Sequence, residues 1–208
     1  PNSVDGKPFL GKSLKKRKLE KQNITFGYAD RFDEKYDLVR SVRKGKFKYM
    51  RNYQPFNVDG LYNFYRYKML AYKEWYKLYQ DGKLNTVQSQ FFEARLPEAL
   101  YNIDEDPHET NNLANDKNYN ETLMELRNEL NNHLVSINDL SFLPEPHLLK
   151  NGLQDIVGYS EKNKDLIKRL IETSNLSLYD YDEVSSKLKD ALNDDNPWVR
   201  YWGVIVNS

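Results

Sequence analysis

Tyr36-Asp37-Leu38-Val39-Arg40-Ser41-Val42-Arg43-Lys44-Gly45-Lys46-Phe47-Lys48-Tyr49-Met50-Arg51-Asn52-Tyr53 is the stretch that decides the fold. Its second half alternates cleanly. Phe47 and Tyr49, with Arg51 continuing the row, share one face of a strand; Lys46, Lys48 and Met50 share the other. Its first half, Tyr36 to Arg43, alternates only in part. Lys44-Gly45 turns the chain between them, and two such runs joined by a Gly-containing turn read as a β-hairpin. Upstream, Ile24-Thr25-Phe26-Gly27-Tyr28 is β-branched and aromatic and supplies a further strand. Downstream, Glu98-Ala99-Leu100-Tyr101-Asn102-Ile103 is a short strand closed by the turn Asp104-Glu105-Asp106-Pro107, where Pro fixes φ and Asp bonds the following backbone.

Helical spacing occupies most of what remains. Leu61, Phe64, Tyr65, Lys68, Met69, Tyr72, Trp75, Tyr76 and Tyr79 recur at three and four, predicting an aromatic amphipathic helix over 61–80. A short helix follows around Val87 to Phe92. From Asn120 to Ile137, Leu123, Leu126, Leu130, Leu134 and Ile137 form an apolar stripe of a long helix. Residues 139–146 hold two prolines and read as a linker. Beyond them only helices are predicted: Asp165 to Thr173, Tyr181 to Leu192, and Pro197 to Val206, the last with Asn196 as N-cap and Pro197 at the first helical position. The expected fold class is α+β: a small antiparallel sheet packed by a long helix, followed by an all-α tail.

Composition narrows the function classes. The 208 residues carry 31 Lys plus Arg and 31 Asp plus Glu, so no net field draws nucleic acid or an anionic membrane. No apolar run reaches the roughly 18 residues of a membrane span. There is no Cys, which excludes thiol nucleophiles, disulfides and thiolate metal sites within these residues. Residues 1–23 are polar and basic around Lys15-Lys16-Arg17-Lys18 and read as a solvated loop. The chain starts in an extended segment, Pro1 to Pro8, and stops inside the apolar run Trp198 to Val206, so both ends are expected to be cuts in a longer protein.

A search for catalytic motifs is negative. No P-loop, GxGxxG, HExxH or nucleophile elbow occurs. The three His, at 108, 133 and 147, are isolated, and a surface or capping role is expected for each. Asp194-Asp195 has the chemistry of a hard-metal site, but its place between two helices predicts capping.

Two segments carry a resemblance. The first is Leu38 to Arg43 followed by Lys46 to Tyr53. The second is Glu98 to Ile103 with Asp106-Pro107-His108-Glu109-Thr110-Asn111-Asn112-Leu113-Ala114. In this order they resemble the C-terminal subdomain of the sulfatase family, in which an Arg-rich strand and a Lys-Tyr…Asn strand precede "E-L-Y-D", "D-P-x-E" and "N-L-A". Gly6-Lys7-Pro8-Phe9-Leu10-Gly11 is similar to the family's stretch ahead of that subdomain. Order and spacing resemble the branch that includes heparan N-sulfatase, over about residues 4–135. Asn102 departs from the family's usual Asp, which weakens a turn signature and not a catalytic one.

The resemblance implies the alkaline-phosphatase-like sulfatase fold. It implies a parent enzyme that hydrolyses sulfate esters or sulfamates, with a formylglycine nucleophile and Ca²⁺. The family's Cys- or Ser-x-Pro-Ser-Arg signature is absent here. This chain alone is therefore expected to be inactive, with no catalytic residue, metal ligand or cofactor of its own. The parent's expected partners are a sulfated glycan or other sulfate ester and the remainder of the sulfatase domain. Export to the periplasm or medium is implied, because sulfated glycans are extracellular. In the family the loop before the Arg-rich strand reaches the mouth of the active site. Here that loop is residues 28–35, and Asp30, Arg31, Asp33 and Glu34 are the candidate substrate contacts: carboxylates accept sugar hydroxyls, and Arg pairs sulfate or uronate. Arg40, in mid-strand beside Asp37, is expected to be structural.

The tail has a resemblance of its own. Leu188 to Trp202, with its Asp-containing turn, Pro and Val-Arg, looks like one HEAT-type repeat, a class that needs several units to bury a core. The expected organisation is a partial sulfatase domain over 1–138, a linker with a short helix over 139–163, and a partial helical repeat over 164–208. Two rival functions stand beside the first: a non-catalytic glycan- or protein-binding module, using the aromatic helix or the repeat, and a phosphoesterase of the same superfamily.

Overall fold

The computed structural model describes residues 11, 15–17, 23–31 and 34–208; Asp33 and residues 1–10, with the Gly6 to Gly11 similarity apart from Gly11, lie outside them. The hairpin is present. Strand β2 (Val39–Lys44) pairs antiparallel with β3 (Phe47–Asn52), Val42 opposite Tyr49 and Lys44 opposite Phe47. The turn therefore falls on Gly45-Lys46, one residue later than expected, and Gly45 takes φ +59°, which favours glycine. β1 (Ile24–Ala29) adds on one side and β4 (Glu98–Asn102) on the other, giving an all-antiparallel sheet in the order β1-β2-β3-β4.

One face of this sheet carries Phe26, Val42, Tyr49 and Leu100, by the pairing register and strand alternation. A long helix, Asn120–Ser136, covers that face with buried Leu123, Leu126, Leu130 and Leu134. Antiparallel sheets tolerate one covered face, because the alternation leaves the other polar. The same face brings Arg40 directly opposite Arg51, a like-charge pair that is unfavourable unless the two guanidinium groups diverge. They do, toward different partners. Arg51 is fully buried. It donates to the carbonyls of Asn52, Pro97 and Ser174 at 2.8, 2.9 and 2.8 Å and to Ser177 Oγ at 2.6 Å. Burial opposes its charge and lowers its pKa.

The edge of β4 is closed by the segment that follows it. Asn112 Oδ1 accepts from the Leu100 and Ala114 amides, each at 3.0 Å, and the Leu113 amide donates to the Leu100 carbonyl at 2.8 Å. The "N-L-A" signature is thus an edge cap, which blocks strand addition at that side. Asp106 holds the turn before it, accepting from the Asn111 amide at 2.8 Å and the Thr110 hydroxyl at 3.1 Å. The amide bond holds its carboxyl below the ordinary range.

For reference, the helices of the described residues are α1 (Phe64–Lys68), α2 (Leu70–Gln80), α3 (Thr86–Ser89), α4 (the long helix, Asn120–Ser136), α5 (Glu145–Asn151), α6 (Ile156–Lys162), α7 (Lys164–Ser174), α8 (Tyr181–Leu192) and α9 (Pro197–Asn207). The expected aromatic helix over 61–80 is broken at Met69, whose backbone is extended. The break lets Tyr67 and Tyr76 meet with ring centroids 5.7 Å apart. Nine residues of straight helix would separate them by about 13.5 Å of rise.

Residues 139–143, expected to be linker, form a 3₁₀ turn whose Phe142 and the following Leu143 are buried in the main core. The helical tail joins the same core. Ile167, Leu170 and Ile171 of α7 and Val199 and Trp202 of α9 belong to it. Trp202 sits edge-on to Tyr53 and its indole N–H donates to the Phe142 carbonyl at 2.8 Å. Asn196 caps α9 as expected, accepting from the Trp198 amide at 2.9 Å, and Asp194 serves the same turn by accepting from the Asn196 amide at 2.8 Å. Among the described residues no helix is long and apolar enough to cross a membrane.

Candidate functional site

Where β1 ends and β2 begins, over the C-terminal half of α4, the surface opens into a cavity of about 310 Å³. Phe26, Tyr28, Asp30, Arg40, His133 and Asp139 are among its walls, with Ser141 at the rim. Arg40 is its centre. Strand alternation points this side chain at the helix-covered face, and two carboxylates meet it there. Its Nε donates to Asp139 at 2.6 Å and Nη2 to the same group at 3.2 Å; Nη1 donates to Asp30 at 2.6 Å and Nη2 again at 3.2 Å; the remaining proton of Nη1 goes to the Val39 carbonyl at 2.9 Å. All five guanidinium donors are in use. Burial opposes the charge, but the hydrogen bonds that Arg40 donates to both carboxylates, with their charge attraction, outweigh it and the pKa rises above the ordinary arginine value. Arg40 therefore has no donor left for a ligand and acts as a structural clamp.

The candidate substrate contacts are dispersed over this rim. Asp30 is tied to Arg40 and accepts from the Ser141 hydroxyl at 3.0 Å. Arg31 points the other way and pairs with Glu145 at 2.8 Å across an exposed gap. An exposed pair of this kind is weak and easily exchanged for another anion. Glu34 accepts a hydrogen bond from the Phe64 amide at the start of α1. Asp33 is outside the described residues. Asp37, expected beside Arg40, instead forms a two-pronged buried pair with Arg95, at 2.8 and 2.6 Å. Among the described members, Asp30 alone opens onto the cavity.

Sequence reasoning missed Asp139, Ser141 and His133 as cavity residues. Asp139 and Ser141 stood in an expected linker; the structure orders that segment by the buried Phe142 and Leu143 and by a cap, Asp139 accepting from the Ser141 amide at 3.0 Å. His133 was expected at the surface. It stacks flat on Phe26, ring centroids 3.6 Å apart, and burial lowers its pKa, so it presents a neutral ring to the cavity. Two carboxylates and one guanidinium leave this corner with one net negative charge. Such a corner suits neutral hydroxyl donors better than a sulfate group.

The described residues do not fit a calcium site. No group of three or more His, Cys, Asp or Glu converges among them, and the two acids that do converge are neutralised in part by Arg40. With no Cys and no Ser-x-Pro-Ser-Arg in the sequence, no step of sulfuryl transfer is assigned to these side chains.

Comparison with curated proteins gives a match of 39% identity over 147 residues to the ulvan-active sulfatase of Formosa agariphila. Over that stretch the chain is similar to a sulfatase. The match covers 70% of this chain and 24% of the relative, so the chain spans about a quarter of that sulfatase's length. No protein-family model matches. The antiparallel sheet with its single long covering helix is consistent with a sulfatase C-terminal subdomain.

Proposed function

We propose that the chain is the C-terminal subdomain of an exported sulfatase that hydrolyses sulfate esters or sulfamates of glycans. In this reading it supplies scaffold and one wall of the substrate pocket. The formylglycine nucleophile and the Ca²⁺ ligands stand on the rest of the parent domain, and the parent works in the periplasm or outside the cell. The observation that carries the reading is the 39% identity to the ulvan-active sulfatase.

The pocket wall is the loop before β2. Asp30 accepts sugar hydroxyls at the cavity rim. Arg31, held only by an exposed ion pair, turns to a sulfate or uronate. Asp33 and Glu34 are the further proposed substrate contacts of this loop. The tail from 164 onward opens a HEAT-like extension. Support for this comes from Arg200, which donates to the Asp194 and Asp195 carbonyls at 2.6 and 3.0 Å, while the Asp194 carboxylate takes Arg169 from α7. These contacts tie the α8–α9 turn to α7 and to the first turn of α9.

The test is turnover of the full-length parent on an aryl sulfate against the matching aryl phosphate, with sulfate release from a sulfated polysaccharide as the second readout. Sulfate release with no phosphatase activity is the expected result. Preferential phosphate release would replace this reading with the phosphoesterase alternative. In the parent, Arg31→Ala is expected to raise KM on an anionic glycan with less change in kcat. The 208-residue chain alone should turn over neither substrate.

A further inference from the structure

The aromatic residues over 62–92 are organised in two layers. The inner layer is internally satisfied. Trp75 stacks on Phe91 with centroids 4.5 Å apart and donates its indole N–H to the Gln88 carbonyl; the Tyr67 hydroxyl donates to the Gly60 carbonyl; Arg66 lies 5.2 Å from the Phe91 ring. The outer layer faces outward. Tyr62, Phe64, Tyr65, Met69 and Leu70 are more than half exposed, Tyr65 at 70% and Leu70 at 81%. Contiguous exposed apolar surface of this kind marks an interaction site.

Charge indicates what covers it. Residues 62–83 hold five cations, Arg66, Lys68, Lys73, Lys77 and Lys83, against two carboxylates, Glu74 and Asp81, within a chain of zero formal charge. Lys77 and Lys83 are both taken by Asp81. Among the described residues Lys68 lies over the Phe64 ring at 5.7 Å without a carboxylate partner, and Lys73 has no partner. Phe64 stands edge-on to Tyr65, planes 79° apart, with Lys68 over its face, so the exposed Tyr65 ring beside available ammonium groups offers an apolar face and cations to the sugar rings and anionic substituents of a charged polysaccharide. The surface also begins beside the candidate pocket wall, because the Phe64 amide donates to Glu34.

We propose that the outer face of α1 and α2 is a second carbohydrate-binding surface, on which Tyr65 stacks a sugar ring and Lys68 and Lys73 pair with sulfate groups of a polysaccharide chain. The choice of sulfate over carboxylate rests on the sulfatase reading above; the rings and cations do not. A protein surface, including another part of the parent, is the rival occupant.

The experiment is affinity electrophoresis of the 208-residue chain in gels containing carrageenan, chemically desulfated carrageenan or polygalacturonate. Retardation in carrageenan alone is expected. Tyr65→Ala, and Lys68→Gln with Lys73→Gln, should each weaken it about tenfold with an unchanged far-ultraviolet circular dichroism spectrum, while Lys187→Gln, remote in sequence, has no effect. No retardation, equal retardation in polygalacturonate, or retardation indifferent to these substitutions would overturn the proposal. So would protection of Tyr62 and Tyr65 from hydroxyl-radical footprinting in the full-length parent without any polysaccharide. If the parent releases sulfate while the surface variants bind normally, this inference fails and the sulfatase reading stands. If the parent releases only phosphate while the surface variants lose carrageenan binding, the outcome is reversed.

Discussion

Replacing Trp202 tests whether the helical tail and the sheet form one cooperative unit. The side chain is 2% exposed, its ring contacts Tyr53 and Phe142, and its N–H occupies the Phe142 carbonyl. Truncating a buried Trp to Ala removes the transfer free energy of the ring and leaves a cavity, about 3–5 kcal/mol together. Trp202→Phe keeps most of the ring but leaves the buried carbonyl unpaired, about 1–3 kcal/mol. For a chain of this size each kcal/mol lowers Tm by about 2–4 °C, so Trp202→Ala should shift it down by about 6–20 °C and Trp202→Phe by less. The shift should appear as a single transition, seen equally by far-ultraviolet circular dichroism and by hydrogen exchange of the Val42 and Tyr49 amides in the sheet. Two transitions, with those amides as protected as in the wild type, would refute the shared core and make the tail an independent domain.

Three further outcomes follow from the geometry. Arg40→Met leaves Asp30 and Asp139 without their buried partner and should cost about 3–5 kcal/mol in urea unfolding, whereas Arg51→Met, which strands only neutral oxygens among its hydrogen-bond acceptors and removes a desolvated cation, should cost clearly less. Asn112→Ala deprives the Leu100 and Ala114 amides of their acceptor; a loss of about 1–3 kcal/mol and faster exchange at the Leu100 amide are expected. Burial depresses the His133 pKa below its ordinary 6.5, so the folded state binds fewer protons than the unfolded state. The stability this contributes is complete above about pH 6.5 and is lost as pH falls from there through the folded value. Urea midpoints measured from pH 7.5 to 5 should decline for the wild type and flatten for His133→Phe.

The sheet was legible because its face-to-face alternation is strong where the core is: Tyr49 and Val42 stand opposite each other and both are buried. The α8 span, Tyr181–Leu192, coincides with its sequence expectation, since its apolar spacing matches the side it buries, Val184 and Leu188. The break at Met69 was not legible. No Gly or Pro marks it, and the ring contact it permits joins residues nine apart, a pairing that helical periodicity does not forecast. The cavity was half legible. Asp30 was a candidate from its loop, but Ser141, whose hydroxyl donates to it, and Asp139, which shares Arg40 with it, are more than a hundred residues away along the chain, beyond the reach of local periodicity. Arg40 shows the same limit: a strand position fixes the direction of a side chain, while the choice between Asp37 and Asp139 is a tertiary outcome.

Arg51 also sets an order in time. Its last-made carbonyl acceptor, after those of Asn52 and Pro97, belongs to Ser174, 123 positions later. At translation speeds of about 5–20 residues per second, its partner leaves the ribosome about 6–25 s after Arg51 itself. Throughout that interval the nascent hairpin holds a cation that is still hydrated. The last turn of α7 is then a latch: the Arg51 guanidinium is fully enclosed only once Ser174 and Ser177 have joined it.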